Sequence, residues 1–173
     1  MVSTPAALGR FCNWDCLIKW KNENPVKMKK AYNKQVAKER QEMKENTIKT
    51  RKAAAKKYCH LYIRVRDQNL GCISCGKALE LGKFDAGHYM ESGNFSFTRY
   101  HELNIHGQCE HCNRYKGAAL ISYDKNLRLK LGDEKVDWIH ENKNKVIKRT
   151  IEDYRDIEKY YKDKLKTLQS NIN

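Results

Sequence analysis

The chain has 173 residues, with 35 Lys or Arg against 21 Asp or Glu and a formal net charge of +14. A surplus of that size points to a polyanionic partner, nucleic acid before anionic membrane. No apolar run approaches the ~20 residues that span a bilayer. Two prolines and nine glycines favour long helices over an all-β fold. The first residues lack a basic stretch leading into a long apolar one, which predicts no signal peptide and a cytoplasmic setting.

Taken in chain order, residues 1–24 read as short and irregular, with Cys12 and Cys16 three residues apart and Trp14 and Trp20 available to pack on a neighbouring helix. Residues 25–68 read as one long basic helix. Pro25 suits a first helical turn, and no Gly or Pro follows until Gly71. Between Lys19 and Arg66 stand sixteen Lys or Arg and four acids, a surplus of twelve that is most of the chain's excess. Apolar residues are sparse up to Thr50, so this half is solvated or meets another helix or DNA. Tyr58, Leu61, Tyr62 and Val65 then recur at helical spacing and predict a docking stripe, with Cys59 beside it as a buried thiol. Residues 69–132 form the core unit and 133–173 a helical extension. In that extension Thr150 is placed to cap a last amphipathic helix through Ile151, Tyr154, Ile157, Tyr161, Leu165 and Leu168.

The core unit opens on Cys72 and Cys75 and closes on Cys109 and Cys112. Two CxxC knuckles some thirty residues apart supply the four corners of a tetrahedral zinc site, and four thiolates leave no open coordination position. That zinc is expected to be structural. A plain zinc ribbon needs no histidines, yet His88, His101 and His106 lie between the knuckles, with Asn104, and Asn113 follows at once. The order is CxxC, a strand FDAGHY, a turn-rich stretch MESGNFSF, then NIHGQC running into CNRYKG.

These residues resemble the HNH, or ββα-metal, nuclease family, whose pattern is CxxC, a His ending a first strand, then NLxxLCxxCNxxKG. Asn104-Ile105-His106-Gly107-Gln108-Cys109-Glu110-His111-Cys112-Asn113-Arg114-Tyr115-Lys116-Gly117 keeps that spacing. The resemblance implies an α+β fold: a small, zinc-stabilised HNH-like core with a long basic N-terminal helix and C-terminal helices. It implies His88 as general base, an imidazole able to take a proton from water near neutral pH. It also implies Asn113, with His88, at a catalytic Mg²⁺ or Mn²⁺, and Asn104 as a brace. Arg99, Arg114 and Lys116 would contact flanking phosphates, along with Arg51, Lys52, Lys56 and Lys57 of the basic helix. The chain departs from the pattern at Gly87, where the family commonly has a metal-binding acid. Either Asp85, three residues before His88, compensates, or His106 completes the shell; the alternative for His106 and His101 is a packing or phosphate role.

A narrower resemblance covers more of the chain. RVRDQNLGCISCGK, AGHY, ELNIHGQC, CNRYKG and LGDEKVDW are similar to the NinG/Rap family of phage recombination proteins. That resemblance implies a structure-specific endonuclease cutting Holliday junctions and D-loops, active in the host cytoplasm and compatible with a homodimer. It also makes TPAALGRFCNWDC look like the second half of an N-terminal zinc element whose first CxxC is not present upstream. Two other readings stand beside it: a non-catalytic zinc-stabilised DNA-binding accessory protein, which would not need His88 or Asn113, and a sequence-specific HNH endonuclease.

Overall fold

The computed structural model describes residues 13–80, 82–114 and 116–170 (side chains of 116–119 excepted) and has a run of helices and two short strands that pair antiparallel. The mixed α+β character expected from the sequence is present, with helix dominating. The chain divides into two compact units at Asn46–Thr47.

The first unit contains α1 (Trp14–Glu23) and α2 (Pro25–Glu45). Asn13 caps α1 by accepting the Cys16 amide at 2.9 Å, so the stretch expected to be irregular is a helix from Trp14 on. Cys12 lies outside the described residues. Helix α2 starts on Pro25, as its fixed φ favours, and buries none of its residues.

The single helix expected over 25–68 is two. After α2 the chain breaks at Asn46–Thr47, and α3 (Ile48–Asp67) starts afresh. Thr47 accepts the Thr50 amide at 3.2 Å while the Thr50 hydroxyl accepts the Thr47 amide at 3.2 Å, a capping box built from two threonines. Helix α3 buries Ala55, Cys59, Tyr62, Ile63 and Asp67 along one face. Cys59 is a fully buried thiol, as its neighbourhood predicts, and burial pushes its pKa up to about 12.

Strands β1 (Phe84–His88) and β2 (Ile105–Cys109) pair antiparallel, with Phe84 opposite Cys109 and His88 opposite Ile105. Two single 3₁₀ turns, Thr98–Tyr100 and Glu102–Asn104, carry the chain between them. After β2 come the short helix α4 (Glu110–Arg114), then α5 (Lys116–Leu131), α6 (Asp133–Asn142) and α7 (Ile151–Ser170). Thr150 and Asp153 close a reciprocal cap on α7 (Thr150 N to Asp153 Oδ2, 2.7 Å; Asp153 N to Thr150 Oγ1, 3.2 Å).

Three apolar clusters hold the second unit. Cys59, Tyr62 and Ile63 of α3 pack with Ala86, Ile105, Tyr154 and Tyr161, so α7 lies against α3 and the sheet. Tyr89, just after β1, packs with Tyr123 and Leu127 of α5 and Val136 and Ile139 of α6. Leu79 and Phe84 sit beside the cysteines. At roughly 1.5–3 kcal/mol per fully buried large side chain, the first cluster is what fixes α3 across the sheet.

One polar device reinforces that docking. Asp67, 1% exposed, accepts both Arg66 Nε (2.8 Å) and a second guanidinium nitrogen (2.7 Å), and it takes the Gly107 amide of β2 at 2.7 Å. Gly107 lets β2 come close to Leu79 and Asp67. A Cβ would stand 2.7 Å from Leu79 Cδ1 and 3.0 Å from Asp67 Cβ.

A cysteine cluster beside an imidazole edge

The four cysteines come together by two routes. The first knuckle folds back on itself, with Cys72 N bonded to Lys77 O (2.7 Å) and Gly76 N to Cys72 O (2.8 Å). Gly76 sits at φ +73°, a conformation that favours glycine. The second knuckle is delivered by the end of β2 and the first turn of α4. The Sγ atoms of Cys72, Cys75, Cys109 and Cys112 all lie within 4.8 Å of one another, and Cys75 Sγ is 3.9 Å from Cys109 Sγ. Zinc–sulfur bonds of about 2.3 Å in a tetrahedron put sulfurs ~3.8 Å apart, so the donor set fits a metal such as zinc. Burial pushes the Cys72 thiol up, but backbone amides of Cys109, Cys75 and Ser74 more than offset it, leaving Cys72 below the ordinary thiol range. Amide donors aimed at a sulfur favour its thiolate, the form that binds metal. This is the one convergent group of three or more His, Cys, Asp or Glu among the described residues.

His88 ends β1 on the other side of the pairing. Its Nε2 lies 2.9 Å from the Arg99 carbonyl oxygen. The Asn113 amide donates to Asp85 Oδ2 at 2.9 Å, which brings the acid of β1 to the residue that follows Cys112. Asn104 is fully buried and staples the loop between the strands. Its Oδ1 accepts the Met90 amide at 2.6 Å and its Nδ2 donates to Met90 O (3.0 Å) and Thr98 O (3.1 Å).

The space at Gly87 explains why no acid stands before His88. A Cβ there would meet Gln108 Oε1 at 2.1 Å and Gln108 Cβ at 2.9 Å, and Gln108 is itself tied to Ser74 Oγ at 2.8 Å. His106, opposite Gly87 in the register, turns into the core. It is 2% exposed, with Nδ1 3.4 Å from the Tyr123 hydroxyl. Burial, with Lys130 and Arg66 nearby, pushes its pKa down to about 3. His101 stacks on Trp138 with ring centroids 4.5 Å apart and accepts the Leu103 amide at 3.3 Å. Both are packing histidines in this fold.

The basic residues divide. Lys52 and Lys56 line a hollow of about 220 Å³ with His60, His88, Arg99 and Tyr100. Arg51 turns away and pairs with Glu158 at 3.6 Å. Arg99 braces the loop, with Nε on Ser92 O at 2.6 Å. Lys57 lies over the Tyr58 ring, and Arg114 pairs with Glu110 at 3.0 Å on the surface. The side chain of Lys116 is outside the described residues. His60 was not singled out by the sequence. Its ring is 5.5 Å from that of His88, and burial, then the His88 and Lys56 charges, lower its pKa to about 4. Its only sequence signal was its spacing of four from Lys56 on one helix face.

A family model described as Bacteriophage Lambda NinG protein matches residues 4–171. The chain belongs to the NinG family. It is similar to Protein ninG of Escherichia phage lambda, 39% identical over 117 residues, which is 68% of this chain and 56% of that protein. It is likewise 39% identical over 117 residues to Protein ninG of Escherichia phage 933W and 38% identical to that of Salmonella phage P22, each time covering 68% of this chain and 57% of the relative. The chain thus spans little more than half the length of the curated relatives it matches. No solved structure matches. Among the described residues, no helix of this NinG chain is long and apolar enough to cross a membrane.

Proposed function

We propose that this NinG-family chain is a metal-dependent endonuclease of HNH type that cuts branched DNA, such as Holliday junctions and D-loops, in phage recombination. The observation that carries the reading is His88: an imidazole at the end of a strand, oriented by a backbone carbonyl 2.9 Å away, open to a hollow that Lys52 and Lys56 make basic.

A carbonyl oxygen only accepts, so the neutral His88 ring carries its proton on Nε2 and its lone pair on Nδ1. Nδ1 is then the atom that takes the proton from an attacking water. Asp85 and Asn113, joined at 2.9 Å, offer the hard oxygen donors that suit Mg²⁺ or Mn²⁺. When bound there, such an ion would supply charge neutralisation at the phosphate and at the leaving oxygen. Asn104 keeps the loop that bears the Arg99 carbonyl in register with β1 through Met90 and Thr98. The cysteine cluster fixes the start of α4, and so the position of Asn113. The net charge of +14 supports a DNA substrate, and binding is expected to weaken steeply with salt.

The test is a panel of four-way junction, D-loop, flap and linear duplex incubated with purified protein and Mg²⁺ or Mn²⁺. Cleavage of the branched substrates in preference to duplex is the expected result. If every substrate survives intact with both metals, the enzyme reading fails.

A further inference from the structure

His88 borders two hollows of different chemistry. One, about 370 Å³, has Tyr89, Met90, Phe95 and Leu120 in its walls with Gln108, His140 and Lys143, and its one lysine shares those walls with the acid Glu91. The other, about 220 Å³, is edged by Lys52, Lys56 and His60 on one side and by His88, Arg99 and Tyr100 on the other. A phosphodiester is charged and strongly hydrated, so it belongs in the hollow that can replace its water with cations and N–H donors. Lys52, Lys56 and His60 lie four residues apart in succession along α3, one turn above another on a single face. Lys52 and Lys56 are exposed while His60 is half-buried, so the row runs inward from solvent and ends at His88, where the two imidazoles stand 5.5 Å apart. The same helix is held rigidly across the sheet by Cys59, Tyr62 and Ile63 and by the Asp67–Gly107 bond. The row therefore keeps its distance from His88.

We infer that α3, which lies outside the cysteine-bounded stretch, supplies a DNA backbone seat in which Lys52 and Lys56 bind phosphate and His60 is a positioning residue for His88. The inference rests on the endonuclease reading for the role of His60 and stands independently of it for the phosphate seat. Arg99 O holds Nε2 of His88 and the His60 ring stands 5.5 Å from its ring, in the same hollow that Lys52 and Lys56 line.

The experiment uses the full chain and a synthetic four-way junction, measuring affinity across a KCl series and single-turnover cleavage in Mg²⁺. The variants are Lys52→Gln/Lys56→Gln, His60→Gln and, as an equal-charge control, Lys159→Gln/Lys166→Gln on exposed positions of α7. The lysine pair is expected to reduce the slope of log affinity against log salt by about 2, roughly one for each phosphate left without its lysine, and the control by far less. His60→Gln is expected to lower the maximal cleavage rate at least tenfold while junction affinity and melting temperature stay at wild-type values, a split that a merely structural histidine would not produce. An unchanged slope in the lysine pair overturns the seat, and an unchanged rate in His60→Gln overturns the positioning role. If wild type cuts nothing, the endonuclease reading and the role of His60 fall with it, while the slope still decides the seat.

Discussion

Nε2 of His88 lies 2.9 Å from the carbonyl oxygen of Arg99. That contact fixes more than orientation. A carbonyl oxygen only accepts, so a neutral His88 ring carries its proton on Nε2, and under the proposed endonuclease reading Nδ1 is the base. Nitrogen-15 NMR of imidazole-labelled protein near neutral pH should show an Nε2–H signal for His88 and a pyridine-like Nδ1. The opposite tautomer would require another atom to act as base.

The four sulfurs within 4.8 Å predict that the cluster binds one zinc ion. Metal analysis of protein purified without chelators should give that stoichiometry at the cluster, and Cys109→Ser or Cys112→Ser should lose it. Because the ligand set forms only in the folded chain, zinc loss is a folding penalty. Both variants should melt well below wild type, while a zinc-free protein of unchanged melting temperature would contradict the assignment.

Asp67 joins α3 to β2 through a buried carboxylate. Asp67→Ala leaves the Gly107 amide without its acceptor and removes the carboxylate that pairs with Arg66 and Lys130, although Arg66 keeps the Ile105 carbonyl at 2.9 Å; breaking a buried pair from one side costs about 3–5 kcal/mol. Urea unfolding should show a fall of that order. A change under ~1 kcal/mol would mean that the apolar packing of α3 suffices alone.

His106 sets a pH dependence. Its folded pKa, pushed down by burial to about 3, lies below the ordinary value of 6.5. The unfolded chain therefore binds the proton more readily across that interval. Stability is fully present above about 6.5 and is lost as pH falls toward 3. Lys130 and Arg66 deepen the shift, and Asp67 opposes it. His106→Gln should flatten the loss between about pH 6.5 and 4.5 relative to wild type, as read from denaturant midpoints. Parallel curves would show that His106 is not the group responsible.

Local pattern made part of this molecule legible from the chain alone. Each CxxC knuckle, the strand ending in His88 and the Thr150 cap show within a few adjacent residues, whereas the bonds of Asn104 reach Met90, 14 positions away. The break between α2 and α3 was hidden because its cap is Thr47 with Thr50, and a threonine three residues on lacks the usual Glu or Gln signal. His60 was missed because its neighbour His88 is 28 positions away and arrives only when α3 docks on the sheet. Gly87 read as a departure from a pattern; with Gln108 filling the space its side chain would need, it is a packing requirement. Strand alternation alone could not tell whether His106 faced solvent or core; Tyr123, contributed by α5, decided it.

The proposed chemistry depends most on His88 acting as a base on a platform that binds DNA without it. The direct measurement is single-turnover cleavage and equilibrium binding of one four-way junction by wild type and His88→Ala in Mg²⁺. Wild type is expected to cut, and His88→Ala is expected to bind within about twofold of wild type yet lose cleavage by at least ~10²-fold, the range typical of a removed general base. Cleavage by His88→Ala at the wild-type rate would contradict that role.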